Sequence, residues 1–206
     1  MKPACGLRVS TLALAVMSLG LQPAAAETVF NKKISYFKIA GRTAADLDRE
    51  LERRGPFTSS TGSRHPGATK IKFGGDITYV ERNGRCSVQS AQVTLSVNLI
   101  LPKWSNRKQA DRRLGLIWDT LSRDIKRHEE RHAEIARQHA QALDKALVGI
   151  RPRATCAEVQ AAVDELTEAA IDAHDRDQIR FDTSEAVNFE RRMIRMLEGR
   201  LGPASR

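Results

Sequence analysis

Cysteine is scarce in this chain, with three residues in 206, none of them in a Cys-x-x-Cys pair. That excludes a structural zinc site built on thiolates. Beyond the first 26 residues no apolar run is long enough to cross a bilayer. Blocks of one charge are missing too. Lys and Arg total 34 against 25 Asp and Glu, for a formal charge of +9, yet basic and acidic residues are interspersed. The excess reads as a solvated, mixed surface and not as a nucleic-acid footprint. Histidine is the last scarcity: of five, three (His128, His132 and His139) share one helical stripe.

What is present begins with a leader. Lys2 and Arg8 give a basic start, Val9 to Leu21 is apolar but short, and Ala24-Ala25-Ala26 supplies the small residues a signal peptidase requires. The cut is expected before Glu27, leaving an exported chain, periplasmic or secreted, without a membrane span. Cys5 precedes the apolar stretch and is not placed to become a lipid-bearing first residue. The leader carries no acidic residue, so its removal lowers +9 to +7 over 180 residues. Cys86 and Cys156 then remain, and in an oxidising compartment an isolated pair forms a disulfide. Closing a loop of about 70 residues contributes on the order of 4 kcal/mol and ties the sheet region to the turn after the long helix.

The pattern predicts a single α+β exported domain over 27–206, sheet-rich over 27–104 and helical over 105–200. Lys33 to Ile39 reads as a strand, and Thr43 caps a short helix stopped by Gly55-Pro56. Ser59 to Gly67 is rich in Ser, Thr, Gly and Pro and reads as a surface loop. Asn83-Gly84 is a hairpin signal between strands covering Thr69 to Pro102. Val93, Leu95, Val97, Leu99 and Leu101 alternate with Thr94, Ser96, Asn98 and Ile100, as in a sheet covered on one face. Pro102 and Trp104 are expected to end that strand. The expected sheet is antiparallel and packs against a long helix over Arg107 to Val148. A second helix follows, capped by Thr155, and a final amphipathic stretch starts near Ser184.

Inside the long helix lies His128-Glu129-Glu130-Arg131-His132. Histidines four apart on a helix lie about 5–6 Å apart between Cβ atoms, so both rings can reach one metal ion. Glu129, next to the first histidine, can then deprotonate a metal-bound water, which is the arrangement of a zinc-dependent peptidase. The apolar stripe Leu114, Trp118, Leu121, Ile125, Ile135, Leu143 and Leu147 places residues 128 and 132 on the buried face. A third protein ligand is needed. His139 is a poor choice because seven residues put it roughly 10 Å along the same axis, so it takes a surface or supporting role. Counting back from the turn between antiparallel helices brings about 172–182 opposite the motif. Asp172, His174, Asp175, Asp177, Asp182 and, just beyond, Glu185 are all candidates there.

The arrangement resembles a bacterial family of predicted secreted zinc-dependent proteases, otherwise a domain of unknown function. The likeness covers nearly all of the mature chain. It includes Gly41-Arg42-Thr43-Ala44-Ala45-Asp46-Leu47, the Asn83-Gly84-Arg85-Cys86 turn and Leu101-Pro102-Lys103-Trp104. It continues through the His128-Glu129-x-x-His132 helix to Cys156 before the second helix. Phe181-Asp182 matches the family's aromatic-Asp pair, but the Thr-x-His-Gly that follows in the family is replaced by Glu185-Ala186-Val187-Asn188. The resemblance implies a zincin-type helix and a metallopeptidase of peptide or amide bonds. His128, His132 and Asp182, or His174 in its place, would hold Zn2+, with Glu129 as base and an envelope protein or peptide as substrate. The rival expectation is a non-catalytic envelope protein that keeps the fold, with or without metal.

Overall fold

The computed structural model describes residues 28–59 and 61–201. The leader and its cleavage before Glu27 lie outside the described residues. The elements are β1 (Val29–Ile39), α1 (Ala44–Arg54), β2 (Phe57–Thr58), β3 (Ser63–Arg64), β4 (Ala68–Arg82), β5 (Arg85–Trp104), a 3-10 turn (Arg107–Gln109), α2 (Arg112–Val148) and α3 (Cys156–Leu201). The α+β architecture matches expectation. No helix among the described residues is long and apolar enough to cross a membrane.

Local chemistry sets most boundaries. The Thr43 hydroxyl accepts from the Asp46 N–H while the Asp46 carboxylate accepts from the Thr43 N–H, a closed capping box that starts α1. Asn83 and Gly84 both take positive φ, 53° and 70°, as a two-residue hairpin turn between β4 and β5 requires. The segment read as a loop, Ser59 to Gly67, holds β3, whose Ser63–Arg64 pair with Phe57–Thr58 just before it in a small hairpin. It is held to the end of α1 by the Arg64 guanidinium on the Gly55 carbonyl at 2.7 Å.

The main sheet has the order β1-β5-β4 and is mixed, not wholly antiparallel. β4 pairs antiparallel with β5, whereas β1 runs parallel to β5. The chain leaves β1 through α1 and the small hairpin before returning as β4, so β1 takes the free edge of β5. β5 also runs through Pro102 to Trp104. The proline is tolerated because β4 pairing begins at Ala68 opposite Ile100, leaving that end of β5 with β1 alone.

The alternating residues Val93 to Leu101 are buried against α2, where they join Ile125, Ala133, Ala136, Ala140, Leu143 and Leu147, with Val159 and Val163 of α3. A second cluster, Ile39, Leu47, Leu51, Trp104, Leu114 and Trp118, fixes α1 and the start of α2, with the two indoles edge to face at 5.7 Å. α3 is one helix of 46 residues with no break near Ser184. There Thr183 and Asn188 donate side-chain hydrogen bonds back to the Ile179 and Ser184 carbonyls, as they would inside a helix and not at a cap. The disulfide joins Cys86 to Cys156 with Cα atoms 5.0 Å apart, reinforced by reciprocal Cys86–Arg153 backbone hydrogen bonds at 2.9 Å.

Candidate metal centre

On α2 the fully buried stripe is Ile125, Glu129, Ala133, Ala136 and Ala140, so the glutamate and not the histidines faces the sheet. The histidines flank that stripe on the side of α3. They are partly buried, between that stripe and the buried Ile135, where expectation puts them on the buried face. Alanines 133, 136 and 140 carry little hydrophobic signal, yet they mark where α2 packs closest.

Across α2, α3 brings Asp182 to the histidine pair. The Nε2 atoms of His128 and His132 lie 3.0 Å apart, and Asp182 Oδ1 lies 3.2 Å from the first and 3.0 Å from the second. These three are a set of donors able to share one ion. Ligands 2.0–2.1 Å from a tetrahedral zinc stand about 3.3 Å from one another, so the triangle fits with small adjustment. Phe181 stacks on His128 with ring centroids 5.0 Å apart and meets His132 edge-on. Burial works against charge on Asp182, but hydrogen bonds from His128 and His132 hold its carboxyl far below the usual aspartate range. Burial likewise opposes charge on His132, yet Asp182 and Gln178 outweigh it and raise its pKa.

Gln178 was not singled out from the sequence, although 174, 178 and 182 recur at helical spacing on one face. Its Oε1 accepts from His132 Nδ1 at 2.5 Å. Its amide nitrogen donates to the His132 carbonyl at 3.1 Å and to His174 Nε2 at 2.7 Å. In that pattern His132 presents Nε2 to Asp182 and His128. His174 is 4% exposed, sits edge-on to Phe73 and donates from Nδ1 to Asp175 at 2.9 Å. Its ring supports the site, away from the donor triangle. Burial lowers its pKa, with Asp175 working the other way. His139 lies further along α2, 3.0 Å from Asp177. Asp172 and Asp175 stay outside the donor set.

Glu129 is 5% exposed. Burial raises its pKa, partly offset by the Thr69 hydroxyl, which donates to Oε2 at 2.8 Å and to the Glu129 carbonyl at 2.9 Å. A Cβ on Gly67 would meet Glu129 Oε1 and Ile125 Cγ2 at 2.8 Å each, so the glutamate uses the space a glycine leaves. In the sequence Gly67 only ended the expected loop and Thr69 only opened the expected strand. Together these residues line a cleft of about 580 Å³ between the small hairpin with the start of β4 and the α2–α3 pair.

Along one wall of the cleft an ion-pair network clamps α2 to α3. Arg192 engages both oxygens of Asp124 at 2.9 and 3.1 Å, Arg127 reaches the same carboxylate at 2.9 Å, and Glu185 pairs with both arginines. Glu185 thus closes the clamp, with its Oε2 3.7 Å from His128 Nδ1.

A family model described as bacterial protein of unknown function (DUF922) matches residues 34–189. The match bears out a bacterial family of unknown function and carries no statement of protease activity. No curated protein and no solved structure matches the chain.

Proposed function

This chain belongs to the DUF922 family of bacterial proteins of unknown function, and we propose that it is an exported zinc-dependent metallopeptidase acting on peptide or amide bonds. The observation that carries the reading is the convergence of His128, His132 and Asp182 donor atoms within 3.0–3.2 Å of one another. The buried Glu129 lines the same cleft. His128, His132 and Asp182 would hold the metal. Zinc, when bound, supplies Lewis acidity that polarises a carbonyl and brings the pKa of a coordinated water to about 7. Glu129 takes the proton from the attacking water and returns it to the leaving amine. Burial raises its pKa, which favours its holding the proton between the two transfers. Thr69 holds one carboxylate oxygen in place, and Gln178 keeps His132 in the tautomer that turns Nε2 inward. The leader of the first 26 residues and the Cys86–Cys156 bridge support an envelope or extracellular setting, where an envelope protein or peptide is the expected substrate.

Elemental analysis of the mature protein after zinc supplementation tests the reading. Wild type is expected to hold one zinc per chain and His128→Ala to lose it. Glu129→Gln is expected to keep zinc while hydrolysis of a fluorogenic peptide library falls by about 10²-fold or more. A metal-free wild type sinks the proposal, and a Glu129→Gln chain that retains its cellular phenotype points to the non-catalytic rival.

A further inference from the structure

We propose that the free edge of β1 pairs with a second copy of this chain across a two-fold axis at Ile34, fusing two three-stranded sheets into one of six strands. The inference is independent of the metal centre. β1 is an edge strand of 11 residues whose outward backbone groups have no partner among the described residues. Such an edge is a template for another strand. The face of β1 that lies on the α2 side carries Phe30, Ile34 and Tyr36 at 39%, 38% and 58% exposure, three of the large apolar side chains left uncovered. Lys32 and Lys38 lie between and beyond them on that face.

The sequence of β1 selects the occupant. A two-fold axis perpendicular to the sheet pairs β1 with itself antiparallel, and opposed residues then share a face. Full overlap of Val29–Ile39 puts Ile34 against the second copy's Ile34, Lys32 against the second copy's Tyr36, Phe30 against its Lys38 and Lys33 against its Ser35. No lysine meets a lysine. The contacts on the apolar face are one Ile–Ile pair and four lysine–aromatic pairs, with the Lys32 ammonium also 3.4 Å from Glu130 Oε1 of its own chain. Registers that keep the faces matched differ by steps in which either Lys33 opposes Lys33 or Lys32 opposes Lys38. Both neighbours of the full-overlap register therefore set like charges directly opposite, which destabilises them. The lysines that would ordinarily guard an edge from foreign strands here fix one self-pairing.

The test uses the mature protein and single cysteines introduced on β1. Sedimentation velocity over a concentration series is expected to show a monomer–dimer equilibrium. Ile34→Lys, at a half-exposed position that leaves the core intact, is expected to weaken it by roughly tenfold or more. Under oxidising conditions Ile34→Cys should crosslink to itself. Lys32→Cys and Tyr36→Cys should crosslink when mixed and only slowly alone. Circular dichroism and an intact Cys86–Cys156 bridge establish that each variant is folded. A wild type that is monomeric throughout overturns the proposal. So does crosslinking at 34 no faster than at Phe30→Cys, or a dimer indifferent to Ile34→Lys.

Discussion

Gln178 joins two imidazoles and a backbone carbonyl through one amide group. Removing it leaves the His132 Nδ1 proton without an acceptor and lets the ring turn. Gln178→Leu is accordingly expected to weaken zinc binding about 10–100-fold in a competition titration against a chromophoric chelator, with Gln178→Glu closer to wild type. Gly67 sets the other wall. Gly67→Ala drives a methyl into Glu129 Oε1 and Ile125 Cγ2, with an expected loss of roughly 1–3 kcal/mol in thermal unfolding. Hydrolysis should fall while zinc is retained. The histidines and Glu129 were legible in the sequence because their chemistry depends on spacing within one helix. Gln178, Thr69 and Gly67 were not, because each matters only through a neighbour from another element. Asp182 stood between these cases: the sequence offered it among several acids, and the phase of α3 against α2 brings it to the histidines.

Among the elements, β5 was readable almost residue by residue, since alternation of Val93 to Leu101 records burial on one side. The parallel seat of β1 was not, because the same local pattern suits either edge of β5, and the choice depends on a connection through α1 and the small hairpin. The continuity of α3 was missed for a related reason. Asp182, Thr183 and Ser184 look like a cap locally, yet the Thr183 hydroxyl donates to the Ile179 carbonyl and the Asn188 amide to the Ser184 carbonyl, as inside a helix. The disulfide secures the start of this helix to β5. Its removal by Cys156→Ala is expected to cost on the order of 4 kcal/mol, read as a lower urea midpoint, with the same loss on reduction of the wild type.

For the molecule as a whole, the clamp around Asp124 makes stability depend on pH in a defined direction. Burial opposes charge on Asp124, but hydrogen bonds from Arg192 and Arg127 hold its carboxyl below the ordinary aspartate value. Its folded-state pKa is therefore lower than its unfolded one of about 3.9. The stabilisation is fully present above that unfolded value and is lost as pH falls through the folded one. Asp124→Asn should thus be less stable than wild type at pH 7, and the gap should narrow toward pH 3, as followed by urea midpoints across that range. A gap that widens in acid would contradict the assignment.

The unbroken course of α3 has a mechanical consequence. Asp182 lies 26 residues from the disulfide at Cys156, about 39 Å along the axis at 1.5 Å per residue. A beam pinned only there would swing Asp182 by about 1 Å for a tilt of roughly 1.5°, several times the tolerance of about 0.2 Å that a metal site allows. The Arg192–Asp124 contact, ten residues past Asp182, supplies a second support, so the carboxylate rides on a span fixed at both ends. The two end supports differ in chemistry, one sensitive to reductant and one to acid.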